Sequence, residues 1–192
     1  MLAVLMLSGC SGQLRAATVQ PAAAAYECDC AVPVDGELRR RPDCLHREGA
    51  VYRMDPRAVA AFGQSTSDSP FEAWSQCGVF HVRRDGRALP THLFDNGPDP
   101  FCSGLARYVV DGKLGYMNRA LEVVVPATYD FAFPFDGERG PVCNQCAFQS
   151  DGEHTAVSCA SCGAVDKDGK LTVPLQLSSE ALFAQYPAHE CN

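Results

Sequence analysis

Four cysteines near the C-terminus carry more potential chemistry than any other residues in this 192-residue chain. Cys143 and Cys146 form one Cys-x-x-Cys pair, Cys159 and Cys162 form a second, and twelve residues separate them. Thiols at this spacing have three uses: they close into disulfides, supply four thiolates to a tetrahedral zinc ion, or exchange as reactive thiols with a substrate. Gly163 after the second pair suits a zinc knuckle, although twelve intervening residues fall short of the roughly 15–20 usual for a ribbon. A redox enzyme needs its thiolate at a helix N-terminus beside a strand. Neither pair has that setting, because Gly140-Pro141-Val142 before Cys143 and Ala147-Phe148-Gln149-Ser150-Asp151-Gly152 after Cys146 read as loop.

The chain holds eleven cysteines. Setting Cys10 aside leaves Cys28, Cys30, Cys44, Cys77, Cys102, Cys143, Cys146, Cys159, Cys162 and Cys191, an even number that in an exported protein reads as a disulfide framework. Each native bridge stabilises by about 2–4 kcal/mol, a large share of the usual margin of about 5–15 kcal/mol. No metal is expected on the disulfide reading; zinc on Cys143, Cys146, Cys159 and Cys162 is the alternative, with a thiol–disulfide oxidoreductase or zinc enzyme as the matching function.

Other catalytic constellations are missing from the sequence. His46, His81, His92, His154 and His189 show no metal-ligand spacing, Glu153-His154 reads as a surface loop, and no nucleophile elbow, phosphate loop or dinucleotide fingerprint occurs. The run Asp95-Asn96-Gly97-Pro98-Asp99 reads as a turn, since Gly97 and Pro98 break the ligand spacing of a calcium loop. A net charge of −7 argues against a nucleic-acid partner. Arg39-Arg40-Arg41, next to Pro42, reads as a solvated loop.

The remaining cysteine points to a membrane. Residues 1–9 are apolar and end in Leu7-Ser8-Gly9 before Cys10, which resembles the lipobox of bacterial lipoproteins. That resemblance implies cleavage before Cys10, attachment of a diacylglycerol to its thiol with palmitate among the acyl chains, and, with Ser11 next, sorting to the outer membrane facing the periplasm. The run is too short to span a bilayer, which needs about 20 residues, and has no positive segment before it; a translation start further upstream would account for both. Residues 10–26, with Pro21-Ala22-Ala23-Ala24-Ala25, read as a lipidated tether. At 46% hydrophobic and 20% charged, the chain is of globular composition.

The folded part divides into a cysteine-containing extension, residues 27–75, and a repeat domain, residues 76–192. Residues 112–126, ending Val123-Val124-Val125-Pro126, come round again in 160–174, ending Val173-Pro174, and a weaker copy runs from Val79 to Pro90. Recurrence of this kind marks units that bury their apolar faces only by stacking. The motifs Gly104-Leu105-Ala106-Arg107, Gly112-Lys113-Leu114-Gly115-Tyr116-Met117, Val123-Val124-Val125-Pro126, Tyr129-Asp130 and Phe133-Pro134-Phe135 resemble the WG-repeat family. Leu114 and Cys162 stand where its tryptophan would be. The resemblance covers about residues 76–175 and implies a β-repeat domain that binds or scaffolds, with no catalytic residues.

An all-β body of short antiparallel hairpins is therefore expected, disulfide-stabilised and with few short helices. Strands are placed at Val79–Arg83, Leu105–Val110, Leu114–Asn118 and Glu122–Val125, with hairpin turns at Asp85-Gly86 and Asp111-Gly112. Pro90, Pro126 and Pro174 are expected to close strands, and Phe94, Phe101, Tyr129, Phe133 and Phe135 to form the core between units. Two helices are placed at Pro56–Phe62, capped by Asp55, and Ser179–Tyr186, capped by Ser178. The function read from all this is an envelope lipoprotein whose repeat domain is a non-catalytic module for a protein or cell-envelope partner.

Overall fold

Six antiparallel strands close into a barrel at the N-terminal end of the computed structural model, which describes residues 27–63, 68–94, 97–150, 152, 155–187 and 191. They are β1 (Glu27–Val34), β2 (Glu37–Glu48), β3 (Val51–Met54), β4 (Phe71–Ser75), β5 (Gly78–Val82) and β6 (Arg87–Pro90), in the order β1-β2-β3-β6-β5-β4. Helix α1 (Pro56–Ala61) follows β3 and buries Ala58 and Val59 in the barrel core. Asp55 caps it by accepting from the Arg57 and Ala58 amides at 2.9 and 3.2 Å, with Pro56 at the first position as expected. The division at residues 75 and 76 drawn from sequence falls within the β4–β5 hairpin of this barrel.

Two corrections concern the barrel and the long C-terminal hairpin. Arg39–Arg41 is part of strand β2, not a loop. This end of β2 is open to solvent on both faces, Leu38 included at 68% exposure, and Arg40 pairs with Asp29 and Arg41 with Asp55 at 3.1 Å. The stretch around Cys143 and Cys146 is likewise strand: β13 runs from Gly140 to Ser150. Only its start, at Val142 and Cys143, is buried; the stretch after Cys146 is exposed and takes its order from the ladder with β14.

After the short pair β7 (Leu93–Phe94) and β8 (Gly97–Pro98), the chain builds two further antiparallel sheets. The first contains β9 (Leu105–Val110), β10 (Lys113–Asn118) and β11 (Val123–Tyr129) in the order β11-β10-β9. The second contains β12 (Phe131–Ala132), β13, β14 (Thr155–Val165) and β15 (Leu171–Leu177) in chain order, and α2 (Ser179–Gln185) packs on β14. The expected all-β, few-helix body is thus what folds, and both helices lie where caps were read.

The repeat is visible in the hydrogen bonds of three turns. In each, a residue exchanges backbone bonds with partners three and four positions on: Arg83 with Gly86 and Arg87, Asn118 with Leu121 and Glu122, Asp166 with Gly169 and Lys170, at 2.8–3.0 Å. The fourth residue has positive φ each time, +86° at Gly86, +55° at Leu121 and +80° at Gly169. Leu121 tolerates that conformation while fully buried. Successive turns touch: the Arg87 Nε donates to the Leu121 carbonyl at 2.8 Å, and a Cβ on Gly169 would lie 2.7 Å from the Val124 carbonyl oxygen.

The last two units share their register irregularities as well. Leu114 pairs with Tyr129, Tyr116 with Val125 and Met117 with Val123; Cys162 with Leu177, Ala164 with Val173 and Val165 with Leu171 repeat this pattern 48 residues later. Pro126 and Pro174 therefore do not close strands but sit inside the edge strands β11 and β15, where a missing N–H is tolerated. There the backbone presses on its neighbour: a Cβ on Gly115 or Gly163 would lie 2.2 Å from the carbonyl oxygen of Val125 or Val173. This contact explains the glycine of the repeat motif.

Of the aromatics expected between units, Phe135 is buried at 3% exposure and meets Tyr116 edge-on at 5.3 Å. Phe101, Tyr129 and Phe133 are half-buried, so Tyr129 is not the full core residue foreseen, and the Phe94 side chain lies outside the described residues. A buried ion pair joins the layers. The Arg107 side chain on β9 donates to Asp99 Oδ1 through Nε at 3.1 Å and to the Ala132 carbonyl at 2.9 Å, and its amide donates to Asp99 Oδ2 at 2.7 Å.

Two outcomes are expected from denaturant unfolding. Gly115→Ala has no room for its methyl group and should cost about 1–3 kcal/mol or more, and Phe135→Ala about 3–5 kcal/mol, whereas Val123→Ala on the exposed face of β11 should change little. A Gly115→Ala midpoint equal to that of Val123→Ala would show that the two strands are not in contact there. The second concerns pH. Burial, and next the Arg107 charge, lower the His92 pKa to about 4, against about 6.5 in an unfolded chain. The unfolded state then binds the extra proton between these values, so stability should be complete above about pH 6.5 and fall steadily towards pH 4. His92→Phe should flatten that slope; an unchanged slope would place the proton elsewhere.

Candidate functional site

The ten cysteines beyond Cys10 all find partners. The bridges are Cys28–Cys77 and Cys30–Cys44 in the barrel, Cys102–Cys191 between the connector and the C-terminus, and Cys143–Cys162 and Cys146–Cys159 across β13 and β14. Cys10 lies outside the described residues. The four cysteines weighed as zinc ligands are therefore brought together, as two cross-strand pairs directly opposed in register. A three-residue step would put Cys143 and Cys146 on opposite faces of a regular strand. Gln145 between them has φ +56°, and the sulfurs of Cys143, Cys159 and Cys162 all lie within 4.8 Å of one another. Leu182 of α2 covers this cluster together with Phe131, Phe133 and Val157.

Groups that elsewhere do acid–base work are committed to structure here. His81 is 4% exposed and bonds the Asp99 carbonyl through Nε2 at 2.9 Å, and burial lowers its pKa. The Tyr116 hydroxyl donates to the Phe133 and Pro141 carbonyls; burial raises its pKa well above the usual 10, so it stays neutral. Asp130 is held below its ordinary value, chiefly by Lys113. His154 and His189 lie outside the described residues, as does Glu153.

The connector between β6 and β9, residues 91–104, contains the run Asp95–Asp99 that reads as a plain turn, and Asp99 in it is the residue that sequence reasoning missed. It is 1% exposed and neutralises Arg107 at 2%. The available signal was Arg107 itself, a cation amid the apolar residues Leu105 to Val110 of a strand, which has to find an anion if buried.

A groove of about 460 Å³ runs between α2 and the segment joining β12 to β13. Phe133, Pro134, Pro141, Phe183 and Tyr186 line it, with Asp136, Glu138 and Arg139 on its rim. Phe133 meets Phe183 edge-on at 4.6 Å, and the Arg139 guanidinium lies 4.6 Å over the Tyr186 ring. Apolar walls with a few charged groups at the edge suit a ligand or a partner's side chain. A second cavity of about 390 Å³ lies at the seam of the barrel and β9, where Arg47 and Asp111 pair at 3.7 Å. The α2 groove is the better candidate because its lining is aromatic and it belongs to the Phe133-Pro134-Phe135 segment of the repeat motif.

Comparison with known proteins agrees with the central part of this picture. No curated protein and no solved structure matches the chain. A family model described as the WG containing repeat matches residues 115–144, from within β10 to the first half of β13.

Proposed function

We propose that this protein is an envelope-anchored lipoprotein whose WG-repeat domain is a non-catalytic binding module, held at the outer membrane through acylated Cys10 and facing the periplasm. The observation that carries the binding role is the repeat match at residues 115–144 together with the aromatic groove that the same unit forms with α2. Support for a non-enzymatic role comes from the use of the ionisable groups: Asp99, Arg107 and Tyr116 are spent on one another or on backbone carbonyls, and His81 is buried with its Nε2 on the Asp99 carbonyl while its Nδ1 has no partner among the described residues. The partner is a protein or an envelope component that presents an apolar group to the groove and an anion to Arg139. Five bridges suit export to an oxidising compartment.

Anchoring is tested by expressing the chain behind a complete signal peptide with labelled fatty acid. The wild type should take up label and sediment with membranes, and Cys10→Ala should do neither; equal labelling of both would remove the anchor. Binding is tested by quantitative capture from envelope extracts with the acylated protein as bait. Tyr186→Ala and Arg139→Ala should each weaken capture of the main partner by about tenfold or more, as expected of central Tyr and Arg contacts; melting should be little changed for Arg139→Ala and lowered for Tyr186→Ala, because the Tyr186 side chain also packs on the cystine cluster. Arg39→Ala on the outer face of β2 should capture like the wild type. A partner retained equally by all three variants would place the binding surface away from the α2 groove.

A further inference from the structure

We infer that the double cystine of β13 and β14 is one of two states of a single four-sulfur site, and that on reduction Cys143, Cys146, Cys159 and Cys162 together bind one zinc ion. The inference does not rest on the groove or on any partner. Its basis is where the hairpin places the sulfurs. Cys143 is opposite Cys162 and Cys146 opposite Cys159, with Cα–Cα distances of 4.1 and 4.0 Å. The sulfurs of Cys143, Cys159 and Cys162 are mutually within 4.8 Å, and the Cys146 sulfur is bonded to that of Cys159. In a tetrahedral thiolate site with Zn–S of about 2.3 Å, neighbouring sulfurs sit about 3.8 Å apart. The Cys159 sulfur already lies within 4.8 Å of both sulfurs of the other bridge, so the bonded pairs have to part and the Cys146 sulfur has to turn inward to complete the set of four.

The surroundings fit a metal better than four free thiols. Phe131, Phe133, Val157 and Leu182 wall the cluster, and apolar burial keeps lone thiols protonated, whereas a divalent cation supplies the charge that stabilises them as thiolates. Asp130, whose carboxylate accepts from the Cys146 amide at 3.4 Å, is itself paired with Lys113, so its charge is offset. The Cys159 amide donates to Ser179 Oγ at 3.1 Å, which ties the second knuckle to α2 whether or not the bridge is closed. Among the described residues this is the one group of three or more potential ligands gathered closely enough to hold a metal.

Reduction proceeds by thiol–disulfide exchange. Cys146 is the half-exposed member of the cluster, so the thiolate of a dithiol donor attacks its sulfur and displaces the Cys159 thiolate. The donor's second thiol then attacks the mixed disulfide, leaving as the donor's own disulfide and freeing Cys146. The freed Cys159 thiolate, within 4.8 Å of both sulfurs of the fully buried Cys143–Cys162 bridge, attacks it and displaces Cys162. The Cys146 thiolate then displaces Cys143 from Cys159, and a second dithiol reduces the re-formed Cys146–Cys159 bridge, so each dithiol delivers two electrons and two protons. Zinc then replaces the four thiol protons.

The test uses the full chain, reduced without oxygen by a phosphine and titrated with cobalt as a spectroscopic stand-in for zinc. The expected result is one tightly bound cobalt per chain with sulfur-to-metal charge-transfer and tetrahedral ligand-field bands, displaced by zinc. The oxidised chain should take up none, Cys146→Ser should bind at least about tenfold more weakly, and the variant with all four cysteines changed to serine should give no such bands. Reduction also opens the other three bridges, so a second preparation guards against an unfolded sample: chain made in a reducing compartment with zinc supplied, purified as soluble protein and analysed for metal. Cobalt bands of equal strength in the four-serine variant, or the lack of both a tetrathiolate spectrum and stoichiometric zinc in the wild type, would overturn the site.

Discussion

The buried Arg107–Asp99 pair is the interaction on which the arrangement of layers depends. At 2% and 1% exposure both charges have left water almost completely, and each such transfer costs several kcal/mol unless geometry and further hydrogen bonds compensate. Compensation here is extensive. Asp99 accepts from the Arg107 amide and side chain, and Arg107 also reaches the Ala132 carbonyl of β12. The Asp99 backbone carbonyl takes the His81 ring from the barrel, and its amide donates to the His92 carbonyl. One connector residue thereby holds the barrel, the central sheet and the start of the last sheet in a single arrangement. Removing either charge leaves the other buried and alone, which is far costlier than losing a surface pair of the same length.

What the repeat supplies around that anchor is a way to stack narrow units. Three turns with the same hydrogen bonds, at Arg83, Asn118 and Asp166, lie 35 and 48 residues apart, and each rests on the turn or strand of a neighbour. The longer interval is taken up by the β13–β14 hairpin, which therefore projects beyond the common stack. Close approach between strands depends on Gly115 and Gly163, where any side chain would collide with the Val-Pro step of the adjacent edge strand. One residue before these glycines, Leu114 and Cys162 are buried at 5% and 0% exposure. Both units thus bury the side chain at this place although its chemistry differs between them.

Elements governed by local chemistry were legible in the sequence. Caps at Asp55 and Ser178, turns at Asp85-Gly86 and Asp111-Gly112 and the strand at Leu105–Val110 all depend on neighbours in the chain, and all fold where read. Features set by distant partners were not legible. Barrel closure joins Cys30 of β1 to Ser75 of β4, a pairing that no local pattern announces. Arg39–Arg41 and residues 147–150 have no apolar alternation, since both stretches are open to solvent on the two faces of their strands. Asp99 looked like a turn residue because its ion-pair partner enters eight positions later. The groove was hidden for the same reason: Phe133 and Phe183 are fifty residues apart in the chain and meet only because α2 folds back on β14.

The placement of the cystines follows from how little each part can bury. The central sheet has a core of Leu105, Leu114, Tyr116, Val125, Phe135 and Val142, and no cysteine is needed within it. The projecting hairpin differs: from Ala147 to Ser150 its residues are exposed, including Phe148 at 54%, and a two-stranded ribbon of this kind is marginal in water. Two cross-strand bonds three residues apart hold its base, which Phe131, Phe133 and Leu182 cover, and the tip beyond them has no such burial. The barrel, small and built mainly around Cys28, Cys30, Val32, Leu45, Phe80 and Val82, uses bridges in the same role. Cross-linking and burial are therefore complementary along this chain, and the sulfur-rich hairpin is the region whose order is most exposed to the redox state of its surroundings.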